Sequence, residues 1–181
     1  LSQKGFELAN GLPFVPTDRA IHDLLQSHTV QQAQQLQIAL GKLRRAGGHF
    51  AGTLLALDPH RMTSYSKRQM RRHRFSAEEK PAKMAQTFFL LDCHTGQPVC
   101  FSLSSSAQSV VQASPGLLRM AAEILGASPA ATHKPLILAD KEHYCQELFA
   151  DVRQQNAFEL LCAVPAYSNS VQRWKKVSAA A

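Results

Sequence analysis

Acid is scarce in these 181 residues, with 13 Asp and Glu against 20 Lys and Arg and a formal net charge of +7. No acid at all follows Glu159. No run of about eighteen apolar residues occurs, which excludes a membrane-spanning helix and any membrane partner that would need one. The first residues lack the hydrophobic centre of a signal peptide. The four cysteines, at 93, 100, 145 and 162, form no C-x-x-C pair, which excludes a zinc ribbon or a dithiol redox motif. They are expected to be reduced, with Cys145 and Cys162 in the core. G-x-S-x-G, the phosphate-binding P-loop and the glycine-rich dinucleotide loop are missing too, so serine hydrolases and nucleotide-binding α/β enzymes of those types are not expected.

What remains is a basic chain with 45% apolar residues, ample for a core. A positive balance of this size favours nucleic acid or another polyanion as partner. The expected setting is cytoplasmic and nucleoid-associated. The first residue is Leu1 rather than Met, as in a fragment.

Two segments carry the same statement. Thr53-Leu54-Leu55-Ala56-Leu57-Asp58 and Pro135-Leu136-Ile137-Leu138-Ala139-Asp140 each run from apolar residues into an acid. Each reads as a core strand with a carboxylate at its C-terminal end, where α/β sheets place their chemistry. One such Asp is also an ordinary turn residue or helix cap. Two of them can converge on a divalent cation and support phosphoryl-transfer chemistry.

Between them lies the basic run Lys67, Arg68, Arg71, Arg72 and Arg74, with His73 inside it and no acid before Glu78. It reads either as a solvated surface or as a grip on phosphates near Asp58. Glu142 is a candidate third acid or a solvated surface residue. His60, His133 and His143 match no metal motif and read as ordinary polar residues or as phosphate-positioning groups.

The order of elements follows from periodicity and punctuation. Residues before Thr17 are irregular, with Gly5, Gly11, Pro13 and Pro16. Thr17 caps a short helix ending near His28. Thr29 and Gln32 form a capping box for a second helix. Its apolar positions are Val30, Ala33, Leu36, Leu40 and Leu43, its glutamines form a solvated face, and Gly47-Gly48 stops it. Strands are expected over residues 52–57, 84–91 and 99–103, the last two joined as a hairpin by Asp92-Cys93-His94-Thr95-Gly96. A serine-rich loop leads to a helix opened by Ser114-Pro115, with a buried stripe of Leu117, Leu118, Ala121, Ile124 and Leu125. The strand before Asp140, a helix burying Leu148, Phe149 and Val152, and a strand over residues 158–164 complete a mixed sheet flanked by helices. The tail after Pro165 is polar and basic.

The block Leu54 to Met62, with Ser66-Lys67-Arg68-Gln69-Met70-Arg71, resembles the first catalytic block of a group of DDE-type transposases. Lys83 to Asp92 resembles the hairpin that follows it, and Leu136 to Tyr144 resembles the second catalytic block. The resemblance implies an RNase H-like fold of about five strands with helices around it. It implies cut-and-join chemistry on DNA ends with Mg²⁺, or Mn²⁺ in its place, and Asp58 and Asp140 as the first and second metal-binding catalytic acids. It also implies DNA as partner, with a homo-oligomer assembled on it. The family's third acid, a Glu on a later helix, has no counterpart in this chain. That departure implies a transposase truncated before its third acid. An N-terminal helical segment, 1–48, is expected before a catalytic core, 49–181, that is incomplete at its C-terminus. A non-catalytic DNA-binding remnant and an RNase H-like nuclease using Glu142 are the alternatives.

Overall fold

The computed structural model describes residues 17–67, 69–70, 72–74, 78, 80–105 and 109–165. The irregular start before Thr17, the basic tail after Pro165, and Arg68 and Arg71 lie outside the described residues. The chain forms two compact units, residues 1–36 and 37–181.

The first unit contains α1 (Asp18–Ser27), where the Thr17 hydroxyl accepts from the Ala20 N–H as expected of an N-cap. It also contains the start of α2 (Val30–Ala46), where the Thr29 and Gln32 side chains accept reciprocally from each other's backbone N–H.

The second unit holds the sheet. Its strands are β1 (Leu54–Thr63), β2 (Arg72–His73), β3 (Ala82–Asp92), β4 (Pro98–Ser105), β5 (Leu136–Ala139) and β6 (Glu159–Cys162). The order is β4-β3-β1-β5-β6, with β2 paired to the beginning of β3. β1, β3 and β4 are antiparallel, while β5 and β6 run parallel to β1. Three antiparallel strands followed by two parallel ones, with helices in the crossovers, make a mixed α/β sheet of RNase H-like order, as expected.

The core lies on one face. Leu55 and Leu57 of β1, Phe88 and Leu90 of β3 and Ile137 of β5 point to α3 (Val110–Leu125) and α4 (Gln146–Gln155). Leu117, Leu118, Ala121 and Ile124 answer from α3, Leu148 and Val152 from α4. Each such side chain contributes about 1.5–3 kcal/mol on leaving water, which fixes which face of each strand turns inward. The other face is open: Phe101 is 46%, Leu103 66% and Leu161 58% exposed.

Four local expectations are corrected. β1 continues six residues past Leu57, because β3 pairs with it as far as Thr63. Pro59 is tolerated there. The ladder alternates from Thr53, whose carbonyl bonds Leu136 N–H, so the missing Pro59 N–H falls on the side that β5 has left. Second, α3 begins at Val110 and not at Ser114-Pro115. Ser109 and Gln112 form a capping box that sets the start, leaving Pro115 inside the helix. Third, α2 presents the opposite face to that expected. Gln37 bonds the Phe101 backbone and Gly41 is buried, whereas Leu40 and Leu43 are exposed. Fourth, Phe149 is half-exposed and stacks edge-on against Tyr144 instead of entering the core.

The hairpin turn and the end of α3 follow the sequence. Gly96 and Gly126 both adopt positive φ, at 66° and 62°, where a side chain would be strained.

Candidate active site

The parallel register of β1 and β5 ends at the pair Leu57 and Ala139. An Asp comes next in each case: Asp58 continues β1, and Asp140 follows the end of β5. The last pair belongs to adjacent strands, whose backbones run about 4.8 Å apart. The two sequence-predicted acids thus stand at the same end of the parallel pairing of two neighbouring strands. Asp58 shares the strand parity of Ala56 and pairs with Phe89, so it belongs to the face that α3 and α4 leave open.

The two carboxylates are held differently. Asp58 is exposed, and among the described residues nothing hydrogen-bonds or ion-pairs with its carboxylate. Asp140 has a half-exposed side chain and caps the 3₁₀ turn Lys141–His143. Its Oδ1 accepts from the Glu142 N–H at 2.9 Å and meets His143 Nδ1 at 2.8 Å. A carboxylate oxygen offers no proton, so Nδ1 is the protonated nitrogen of this imidazole. The His143 ring is fully buried, and its Nε2 has no hydrogen-bond partner among the described residues. Oδ1 of Asp140 is thus engaged as a cap, as the ordinary reading of such an Asp has it, while no partner of Oδ2 is found among the described residues.

The backbone beneath is fixed by sulfur. Cys162 Sγ donates to the Asp140 carbonyl at 2.9 Å. Burial, with the negative Asp140 and the nearby Cys145 adding to it, pushes the Cys162 thiol above its ordinary value. The thiol thus stays protonated and able to donate. Cys145 caps α4 through its sulfur, which accepts from the Leu148 N–H. Both cysteines are free, as expected, and half-buried; Cys145 packs against the core, whereas Cys162 is not the core residue expected. Sequence reasoning misses the support that His143 and Cys162 give Asp140. The three-residue step from Asp140 to His143, one turn of a 3₁₀ helix, is the available signal.

Glu142 turns elsewhere. Its Oε2 lies 3.0 Å from Arg61 Nη2, an ion pair at the surface. Among the described residues no group of three or more His, Cys, Asp or Glu is arranged to hold a metal ion.

The basic run begins beyond the end of β1. From Asp58 to Thr63 the strand rises roughly 17 Å, the length of about five nucleotides along one DNA strand. Lys67, Arg72 and Arg74 are exposed there. Arg72 belongs to β2, which pairs with Lys83 and Ala82 at the start of β3.

No family model matches the sequence, and no curated protein matches it either. Solved structures do. One is a Mos1 mariner paired-end complex with Mn, at 11% identity and a TM-score of 0.40, covering 100% of this chain and 68% of that one. Another is a piggyBac transposase synaptic complex with hairpin DNA, at 11% identity and 0.47, covering 69% of this chain and 26% of that one. A third is a simian T-cell lymphotropic virus intasome in complex with a PP2A regulatory subunit, at 12% identity and 0.42, covering 72% and 39%. Likenesses this distant assign no chemistry. The strand order identifies the fold as RNase H-like, and its two adjacent acids mark the candidate site.

Proposed function

We propose that this chain carries the core of a DDE-type transposase, acting on DNA ends through a divalent cation held by Asp58 and Asp140. The observation that carries the proposal is the β1–β5 register, whose last pair, Leu57 and Ala139, is followed on each side by one of the two acids. Two hard carboxylate oxygens suit Mg²⁺ or Mn²⁺, since Mg²⁺ is commonly bound by one or two carboxylates together with substrate phosphates. The donor set therefore fits a cation completed by DNA. Such an ion, when bound, polarises the phosphodiester and activates the attacking hydroxyl or water.

The chain's own residues have three tasks in this scheme. Asp58 offers an unengaged carboxylate on the open face. Asp140 offers Oδ2 while Oδ1 is anchored. Lys67, Arg72 and Arg74, with Arg68 and Arg71 of the same run, hold the backbone of a duplex laid along β1 and β3. The segment 1–48 precedes this core, 49–181, and the complex on DNA contains more than one copy.

A second reading is a DNA-binding remnant without catalysis, favoured by the absence, among the described residues, of any group of three or more His, Cys, Asp or Glu arranged to hold a metal ion. The nuclease alternative is weakened because Glu142 is engaged by Arg61. Titration of Mn²⁺ into the protein, alone and with a duplex, separates the first two. Expected is Mn²⁺ binding that Asp58→Asn and Asp140→Asn each reduce at least tenfold, with DNA affinity retained. Mn²⁺ binding indifferent to both substitutions leaves the remnant reading.

A further inference from the structure

His143 occupies a place that packing alone does not explain. It is fully buried, and the 3₁₀ turn that carries it packs against α3. One ring nitrogen is spent on Asp140 Oδ1 at 2.8 Å, and the other has no partner among the described residues. An orphaned nitrogen in the interior costs stability that a leucine or phenylalanine of similar size would not cost. What the imidazole gives in return is directional. A lone carboxylate turns about its last side-chain bond and offers either oxygen. With the Glu142 N–H and the His143 Nδ1–H both on Oδ1, that rotation is stopped. The ring cannot follow a moving carboxylate, because burial on every side holds it.

We infer that His143 is a positioning residue for Asp140: its Nδ1–H locks the carboxylate so that Oδ2 is the oxygen presented to the cation. This rests on Asp58 and Asp140 being cation ligands, as proposed above. Groups that hydrogen-bond to a metal-binding side chain commonly change metal affinity 10–100-fold when removed.

The test compares Mn²⁺ affinity and thermal stability for wild type, His143→Leu, His143→Asn, His143→Gln and Asp140→Asn. An asparagine amide places its N–H near the position of Nδ1, whereas a glutamine amide reaches toward Nε2. Expected is a 10–100-fold loss of Mn²⁺ affinity in His143→Leu with a melting temperature equal to or above that of wild type. His143→Asn restores most of the affinity and His143→Gln does not. If His143→Leu does not fold, the contrast between asparagine and glutamine decides. Equal Mn²⁺ affinity in those two, or wild-type affinity in His143→Leu, overturns the positioning role while leaving the cation site intact. Equal behaviour of wild type and Asp140→Asn removes the cation site itself, and the role of His143 with it.

Discussion

Three acids in this chain end apolar runs: Asp58 after Leu57, Asp92 after Leu91 and Asp140 after Ala139. Their surroundings give them three different fates. Asp92 is fully buried, and its carboxylate accepts from the Gly52 N–H at 2.6 Å and from the His94 and Thr95 N–H groups at 3.0 Å. Burial pushes its pKa upward, but the Gly52, Thr95 and His94 N–H donors and the Thr95 hydroxyl outweigh it, and the net shift is downward from 3.8. A folded-state pKa below the unfolded one means stability present above the unfolded value and lost as pH falls through the folded one. Wild type should therefore lose stability below about pH 4 more steeply than Asp92→Asn, as urea midpoints at a series of pH values would show. Asp92→Ala leaves the partly buried Gly52, His94 and Thr95 N–H groups without this acceptor and is expected to cost about 2–3 kcal/mol at neutral pH. Asp58, by contrast, has an open environment, and its replacement should leave the fold's stability within about 0.5 kcal/mol, as expected of an exposed residue outside any network.

At the scale of elements, α2 shows how a sheet edge chooses its cover. β4 is an edge strand, and Gln37 satisfies both the N–H and the carbonyl of Phe101, at 2.6 and 3.1 Å. Arg44 donates to the Pro98 carbonyl and the Gln97 side chain, each at 2.8 Å, and lies 4.8 Å from the centre of the Phe50 ring. The edge is thus blunted by polar side chains and cannot template another strand there. Close approach is allowed by Gly41, where an added Cβ would meet three Ile124 side-chain carbons at 2.8 Å. Ile124 is fully buried and has no room to retreat. Gly41→Val is therefore expected to lose about 2–3 kcal/mol through overpacking. For Gly41→Ala the gain in helix propensity, about 1 kcal/mol, offsets part of the clash, so a loss near 1 kcal/mol is expected. Guanidinium denaturation of the two variants measures the difference.

At the scale of the whole molecule, charge and site face the same question of DNA. The formal charge of +7 is concentrated in part on the run beginning at Lys67, past the far end of β1. If this run holds phosphates, each cation removed from it should reduce the slope of log affinity against log salt by about 1. Replacing Lys67 and Arg72 by Ser is expected to lower the slope by about 2, with the weakening spread evenly over DNA sequences. Fluorescence anisotropy across a salt series reads this directly. An unchanged slope would place the DNA-facing surface elsewhere. No helix among the described residues is long and apolar enough to cross a membrane.

Local chemistry determined most of the elements. Capping residues at Thr17 and Thr29, the glycines at 96 and 126, and strong apolar periodicity in α3 act over a few residues, so they are readable without the fold. The start of α3 is harder to place because two local signals compete, and the Ser109–Gln112 box prevails over Pro115. Non-local facts had to come from the tertiary structure. The sequence cannot say which face of α2 is buried, because the answer lies in Ile124 and the backbone of Phe101. Nor can it say how Asp58, Asp92 and Asp140 differ, since all three follow the same apolar pattern. Strand register separates them. It puts Asp58 and Asp140 each directly after the last paired residues of β1 and β5, while the chain folding back through Gly52 encloses Asp92. The chain itself determined the residue types; only the pairing of distant strands decided which carboxylate is enclosed and which are left near the surface.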